Sequence, residues 1–513
     1  MLFAEIVQTS RSVAGTRARL QKIARLAECM RGLGPAEREA GVAFLTGELR
    51  QGRIGLGYAA VRDAMPGSAA PSPRLAVAAV DLAFSEIASM SGPGSARAKL
   101  QRLEKLLSEA TAEEQEFLAR LVFGELRQGA QEGIVVEAVA RATGLPAASV
   151  RRAVMLSGNL RQVAVAALTG GEGALAEFRL RLLSPVQPML AQTARDLEEL
   201  FGRHGSVGLE YKLDGARVQV HRLGGDVRVF TRKLNDVTAA VPEVVEAVRS
   251  LPATSLILDG EAIALTGQGR PAPFQTTMRR FGRRLNVDEM KAELPLSPFF
   301  FDCLHLDGQD LIDHPGRERA AVLNGVVPGE SRVPGLVAAS PEEAQLFIDG
   351  ALQAGHEGVM AKDMEAPYEA GRRGAGWMKL KPSHTLDLVV LAVEWGSGRR
   401  KGWLSNLHLG ARDEAGGFAM LGKTFKGMTD EMLRWQTARL QELKVGEEGH
   451  VVHVRPELVV EVAFDGVQAS PQYPAGMALR FARVKRYRPD KRAVEADTVA
   501  AVRGIFHRSR ESG

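Results

Sequence analysis

The chain has 513 residues, too many for one hydrophobic core, so about two to four domains are expected. Hydrophobic residues make up 45% and charged residues 25%, which excludes a disordered or fibrous chain. A net charge of +5 mildly favours a polyanionic partner, and Cys29 and Cys303 alone build neither a disulfide framework nor a four-cysteine zinc site. The start, MLFAEIVQTSRSVAG, has no long apolar run behind a basic segment, and nothing approaches about eighteen uninterrupted apolar residues. The expectation is a soluble protein of a reducing cytoplasm with no membrane contact.

Residues 1–183 are helical in pattern, with Leu20, Ile23, Ala24, Leu26 and Ala27 at helical spacing and Leu100, Leu103, Leu106 and Leu107 likewise. They contain a repeat. Gly47-Glu48-Leu49-Arg50-Gln51-Gly52 returns as Gly124-Glu125-Leu126-Arg127-Gln128-Gly129, and Arg17-Ala18-Arg19-Leu20-Gln21 as Arg97-Ala98-Lys99-Leu100-Gln101. Two matches in the same order predict a duplicated unit, each copy ending a helix on Gly52 or Gly129 with an arginine in its last turn. Such a pair can track a duplex backbone, or serve only as a scaffold whose arginines complement helix ends. Leu183-Ser184-Pro185-Val186-Gln187-Pro188 then reads as a linker.

From about 186 to 385 strands and helices alternate, and the chemistry collects there. Glu210-Tyr211-Lys212-Leu213-Asp214-Gly215-Ala216-Arg217 precedes a hairpin whose Val218, Val220, Val227 and Val229 share one face, joined at Leu223-Gly224-Gly225-Asp226. Lys212 is placed at a strand-to-loop transition, aimed into a cleft. Thr231-Arg232-Lys233 leaves a strand with two cations. Asp259-Gly260-Glu261 interrupts an apolar run, where a charge needs a partner or a metal. In Phe299-Phe300-Phe301, alternation sets Phe299 and Phe301 on one face and Phe300 on the other, so one face can pack the core while Phe301 offers a ring to a purine. Glu357-Gly358 again sets a carboxylate beside a strand, and in Trp377-Met378-Lys379-Leu380-Lys381 the two lysines point the same way, towards an anion or towards water.

These parts suit reaction at a nucleoside triphosphate. Lys212 is the nucleophile, and because lysine titrates near 10.4 in water, neighbouring cations and a bound metal must favour its neutral amine. Arg217, Arg232, Lys379 and Lys381 can hold phosphates, and Glu261 and Glu357 can hold Mg²⁺. There is no P-loop or kinase glycine-rich loop.

The ordered set Glu-Tyr-Lys-Leu-Asp-Gly-Ala-Arg, Thr-Arg, Asp-Gly-Glu, Phe-Phe-Asp, Glu-Gly-Val-Met-Ala-Lys and Trp-Met-Lys-Leu-Lys resembles the covalent nucleotidyltransferase superfamily. The chain as a whole is similar to ATP-dependent DNA ligases, particularly archaeal-type and actinobacterial ones. Residues 455–464 and 470–483, with Asp490-Lys491, are similar to the family's C-terminal stretch. The resemblance implies a multidomain α+β protein: a helical DNA-binding domain (1–183), a mixed α/β adenylation domain (186–385), an OB-fold β-barrel (386–495) and a tail (496–513) without readable signal. It implies that Lys212 carries AMP and that Glu210 and Phe301 hold adenine. Arg217, Arg232, Arg373 and Lys379 would meet ribose or phosphates, Glu261 and Glu357 would place the metal, and Arg480 and Arg483 would orient the leaving pyrophosphate. Lys233, where the family often has Asn, is given no role. Gly398-Arg399-Arg400-Lys401-Gly402-Trp403 and the cluster Arg279, Arg280, Arg283 and Arg284 are either DNA-tracking or solvated.

The expected reaction joins nicked duplex DNA with ATP and Mg²⁺: Lys212 takes AMP, the DNA 5′-phosphate receives it, and the 3′-hydroxyl displaces it. NAD⁺-dependent relatives need a cysteine-ligated zinc that this chain lacks. The alternatives are an RNA ligase or capping-type nucleotidyltransferase, or a non-catalytic DNA-binding scaffold with a decayed nucleotide site. A monomer is expected; sliding-clamp or repair partners are not legible.

Overall fold

The computed structural model describes all residues except 127, 203–205, 268, 273, 282–286, 370–372, 382–383 and 512–513, with the side chains of 287, 288, 290, 373–375 and 508–511 also left undescribed. The N-terminal region folds as α1 (Phe3–Gly15), α2 (Arg19–Gly32), α3 (Arg38–Thr46), α4 (Tyr58–Asp63), α5 (Val77–Ser89), α6 (Ser95–Ser108), α7 (Ala112–Val122), α8 (Glu132–Thr143), α9 (Ala147–Ser157) and α10 (Leu160–Ala176).

The repeat has a physical form. Helix α2 packs on α8 as α6 packs on α4, and α1 packs on α7 as α5 packs on α3, so exchanging the copies reproduces the contacts. The rings at the centre follow the same rule: Phe3 meets Phe117 at 5.5 Å and Phe84 meets Phe44 at 6.5 Å, both edge-on. The repeated hexapeptide does not end a helix on its second glycine, as its sequence suggested. Helices α3 and α7 stop one or two residues before its first glycine, and Gly47 (φ 81°) and Gly124 (φ 67°) take the left-handed turn. The amides of Glu48 and Glu125 then donate back to the carbonyls of Ala43 and Arg120, both at 2.9 Å. Arg50 is drawn inward to Asp81, with Nη2–Oδ2 at 2.7 Å, and Arg127 lies outside the described residues.

The central region carries β1 (Leu190–Thr193), β2 (Val207–Tyr211), β3 (Ala216–Leu223), β4 (Asp226–Thr231), β5 (Ser255–Ala264), β6 (Leu296–Leu306), β7 (Gln309–Asp310), β8 (Gly335–Ala338), β9 (Val359–Lys362) and β10 (Arg373–Leu380). They form two five-stranded sheets, in the orders β1-β10-β9-β2-β8 and β4-β3-β5-β6-β7. The β3–β4 hairpin pairs Val220 with Val229, and the four valines are buried as the alternation required. Phe300 is buried in the core while Phe299 and Phe301 are only partly covered. The helical and central regions share a core in which Met155 and Leu156 of α9 pack with Met189, Ile257, Leu304, Tyr368 and Trp377.

Beyond it come β11 (His384–Trp395), β12 (Leu404–Arg412), β13 (Phe418–Thr424), β14 (Lys444–Glu448), β15 (Val451–Val454), β16 (Val459–Phe464), β17 (Gly466–Ala469), β18 (Met477–Arg480) and β19 (Arg483–Tyr487). Strand β11 divides its length between β16 and β15 on one side and pairs β12 on the other, giving a seven-stranded sheet. The pairings among the described residues leave this sheet open, so what is shown is a C-terminal β domain. The hairpin β17–β18 stands apart from the sheet and ends on Arg480. The tail is not featureless: Val499–Glu511 is helical and packs on β17, with Val502 fully buried. No described helix is long and apolar enough to cross a membrane.

Candidate active site

The two central sheets enclose a cleft of 1590 Å³, larger than the roughly 300–1,000 Å³ of an ordinary ligand pocket. Glu210, Lys212, Arg217, Arg232, Glu261, Phe301, Glu357, Lys379, Lys381 and Arg480 all line it. Residues separated by up to 270 positions in the chain therefore line one cleft.

Lys212 follows the last residue of β2. Its amide donates to the carbonyl of Gly358 (2.8 Å), and the amide of Glu357 donates to the carbonyl of Lys212 (3.1 Å), so reciprocal backbone bonds fix the two motifs side by side. Lys212 Nζ lies 2.5 Å from Glu357 Oε2. The same carboxylate pairs with Lys381, and Arg480 Nη2 stands 4.0 Å from its other oxygen. Gly215 is needed for close approach: a Cβ there would lie 2.3 Å from Ile263 Cγ2 and 2.6 Å from the Ala262 carbonyl oxygen.

The electrostatics divide the carboxylates. Burial works against ionisation of Glu357, yet Lys212 and Lys381 outweigh it and hold the carboxyl down to about 2. Burial wins at Glu261, where Asp259 and Asp214 add repulsion and the carboxyl is pushed up to about 7. Asp214 is also raised, by burial and by Glu357, although Arg480 donates to it at 3.3 Å. The Glu261 carboxylate makes no hydrogen bond or ion pair among the described residues, so a half-buried charge lacks a direct partner. No group of three or more His, Cys, Asp or Glu arranged for a metal occurs among them either. Two carboxylates with phosphate oxygens and water completing the shell is the coordination Mg²⁺ prefers, so Glu261 and Glu357 fit that ion.

Opposite Glu261 in the β3–β5 register, Arg217 is a clamp. Its Nε and Nη2 reach Asp259 at 3.0 and 2.6 Å, its Nη1 reaches the Met189 carbonyl at 2.6 Å, and Tyr368 donates to Asp259 at 2.7 Å. Asp259 is fully buried. The expectation of a phosphate-binding Arg217 is thus qualified, since this guanidinium is already bonded to protein. Lys362 Nζ donates to Glu210 Oε1 at 2.6 Å and to the Phe301 carbonyl at 2.7 Å. Phe301 and Trp377 stand edge to face with centroids 5.7 Å apart.

Several expectations are corrected. Arg483 does not line the cleft: the turn at Phe481-Ala482, with Phe481 in a left-handed conformation (φ 55°), separates it from Arg480, and it pairs with Asp465 at 2.9 Å. Arg280 is neither DNA-tracking nor solvated, because it is fully buried and bonded to Glu243 at 2.9 and 3.0 Å. Arg283, Arg284 and the side chain of Arg373 lie outside the described residues. Asp259, Tyr368, Trp377 and Lys362 had no assigned part in the sequence reading. Asp259 carried a signal as a charge inside an apolar run, and Lys362 and Trp377 as members of the quoted motifs.

Comparison with known proteins gives whole-length similarity. Residues 188–381 match the ATP dependent DNA ligase domain, 400–491 the ATP dependent DNA ligase C terminal region and 58–140 the DNA ligase N terminus. A probable DNA ligase of Anaeromyxobacter sp. (strain Fw109-5) is 62% identical over 511 residues, covering 99% of this chain and 98% of that protein. One from Mycobacterium marinum (strain ATCC BAA-535 / M) is 57% identical over 515 residues, covering 99% and 100%. A solved structure titled Pmar-Lig_PreS3 has a TM-score of 0.62 at 18% identity, covering 94% of this chain and 99% of that one, a likeness of fold.

Proposed function

Because the chain belongs to the family of ATP-dependent DNA ligases, we propose that Lys212 is the amine that takes AMP from ATP and that nicked duplex DNA is the substrate. The observation that supports this reading is the cluster of Lys212, Lys381, Arg480, Glu357 and Glu261 at one end of a cleft between two sheets. Lys212, once its ammonium has lost a proton to solvent water, attacks the α-phosphorus through Nζ, and the bond to pyrophosphate breaks as the N–P bond forms. The DNA 5′-phosphate then displaces the amine to take AMP, and the 3′-hydroxyl displaces AMP to form the phosphodiester. Lys381, Lys379, Arg232 and Arg480 supply positive charge where the phosphates carry negative charge. Glu261 and Glu357 would hold Mg²⁺, which would supply further neutralisation of the phosphate charge. Glu357, its carboxyl held down by Lys212 and Lys381, is ionised in the resting cleft and orients the Lys212 side chain.

Arg17 of the helical region donates to Asp430 (3.3 Å) and to the carbonyl of Arg399 (3.4 Å) in the β domain, bringing the two outer modules together. The protein acts as a monomer, and its substrate places it in the cytoplasm at the nucleoid.

The test is joining of a 5′-phosphorylated nick with ATP and Mg²⁺. Wild type seals it, whereas Lys212→Ala seals only a nick whose 5′ end already carries AMP. Sealing of the ordinary nick by Lys212→Ala at the wild-type rate would refute the reading.

A further inference from the structure

Leu234 holds a backbone conformation that its turn ordinarily gives to glycine. Arg232, Lys233 and Leu234 are the tip of the loop that leaves β4. The amide of Leu234 donates to the Thr231 carbonyl (2.8 Å), and the amide of Thr231 donates to the Asn235 carbonyl (2.9 Å). These bonds close a short hairpin whose last tip residue is left-handed, a position that favours glycine or asparagine. Here it is leucine, with φ at 63°. A left-handed leucine is unfavourable and persists only where its surroundings over-determine it.

What holds it is the helical region. Leu234 Cδ1 lies against Gly158, itself left-handed (φ 64°), at the end of α9. A Cβ added to Gly158 would come to 2.8 Å from that methyl carbon and 3.3 Å from the Pro185 carbonyl oxygen. The glycine admits the leucine because it has no side chain of its own. The seat is rigid. Met155 and Leu156 in the last turn of α9 are buried in the core shared with Ile257 and Leu304, and the Gln187 amide donates to the Met155 carbonyl at 2.9 Å.

The chemistry of the loop lies in its other tip residues. Arg232 and Lys233 line the cleft, and among the described residues neither side chain makes a hydrogen bond or ion pair. Arg217 is fixed by its bonds to Asp259, whereas the backbone of the loop is what aims Arg232. A contact that fixes Leu234 therefore fixes where the Arg232 charge falls.

We propose that Leu234 is a positioning residue for Arg232: seated on Gly158, it lets the helical region aim that cation at a phosphate bound in the cleft. The proposal rests on the reading that Arg232 meets phosphate there, and it gives the helical region a part in the chemistry besides holding DNA.

The experiment compares full-length wild type, Leu234→Asn, Arg232→Ala and the double variant, with thermal melts to verify folding. Asparagine accepts the left-handed backbone but is too short and polar for the seat, so the contact is lost and the turn is kept. Two rates are read. Self-labelling by α-labelled ATP reports on the phosphates of the nucleotide, and sealing of a nick already carrying AMP reports on those of the DNA. Arg232→Ala is expected to slow at least one of them by about tenfold or more, and Leu234→Asn to slow the same one by about fivefold or more. In the Arg232→Ala background, Leu234→Asn is expected to cost nothing further. Gly158→Ala, whose added Cβ displaces Leu234, is expected to show the same dependence on Arg232, and it carries the test should Leu234→Asn fail to fold. Losses that multiply independently, or a Leu234→Asn protein as fast as wild type in both reactions, would overturn the proposal and leave Leu234 a packing residue. An Arg232→Ala protein as fast as wild type in both would overturn the Arg232 reading beneath it, and the proposal with it.

Discussion

The charge network of the cleft has two ends built on opposite rules. At the matched end each charged group has its partner: Arg217 with Asp259, which also accepts from Tyr368, and Lys362 with Glu210. At the other end Glu357 is shared by Lys212 and Lys381 with Arg480 nearby, while Glu261 makes no ion pair among the described residues. The contrast teaches where the protein holds its shape and where it awaits charge from a ligand. A closed network is preorganised and costly to break, whereas an over-shared one rearranges when phosphate and metal arrive.

The largest effect on stability should follow from breaking the matched end. Asp259→Ala leaves the buried Arg217 guanidinium and the Tyr368 hydroxyl without their acceptor, and urea unfolding should show a loss of about 3–5 kcal/mol. A loss below about 1 kcal/mol would erase the distinction between the ends. The next effect comes from the unmatched end and depends on pH. Glu261 titrates at about 7 in the fold against its ordinary 4.5, so the folded state favours its protonated form. Its penalty therefore appears as pH rises from 4.5 to about 7, and Glu261→Gln should flatten the fall in melting temperature across that window. Glu357 has the opposite sign: its contribution is present above 4.5 and lost only as pH falls towards 2, outside the window. An unchanged pH profile in Glu261→Gln would contradict the assignment. The smallest effect belongs to neither end. Arg152 and Asp313 bridge the helical and central regions at 2.7 Å but are largely exposed, so Arg152→Ala should change unfolding by no more than about 1 kcal/mol.

The sequence was most legible where chemistry is written locally. The lysine before its hairpin, the Asp-Gly-Glu interruption and the alternating phenylalanines each sit where their spacing put them, because strand periodicity alone decides which way they face. Partners set by the meeting of distant strands were not legible. Nothing around Tyr368 announces that its hydroxyl serves Asp259, 109 residues away, nor does the string ending in Lys362 disclose a bond to Glu210, 152 residues away. Arg280 shows the converse error, for a run of arginines looks solvated until one of them turns inward to Glu243. The hexapeptide repeat was visible as a string, but the helix end it marks is its first glycine, a matter of backbone handedness that repetition does not reveal. The terminal helix was legible but missed: Val499, Val502, Ile505 and Phe506 recur at helical spacing and pack on the core of the β domain.

The central claim is that one amine in the unmatched end carries the nucleotide. Incubation of the full chain with ATP and Mg²⁺, followed by proteolysis and mass spectrometry, measures it directly. A single AMP adduct on the peptide containing Lys212, absent in Lys212→Ala, is the predicted result. An adduct confined to another lysine, or vigorous nick joining with Lys212 never modified, would contradict it.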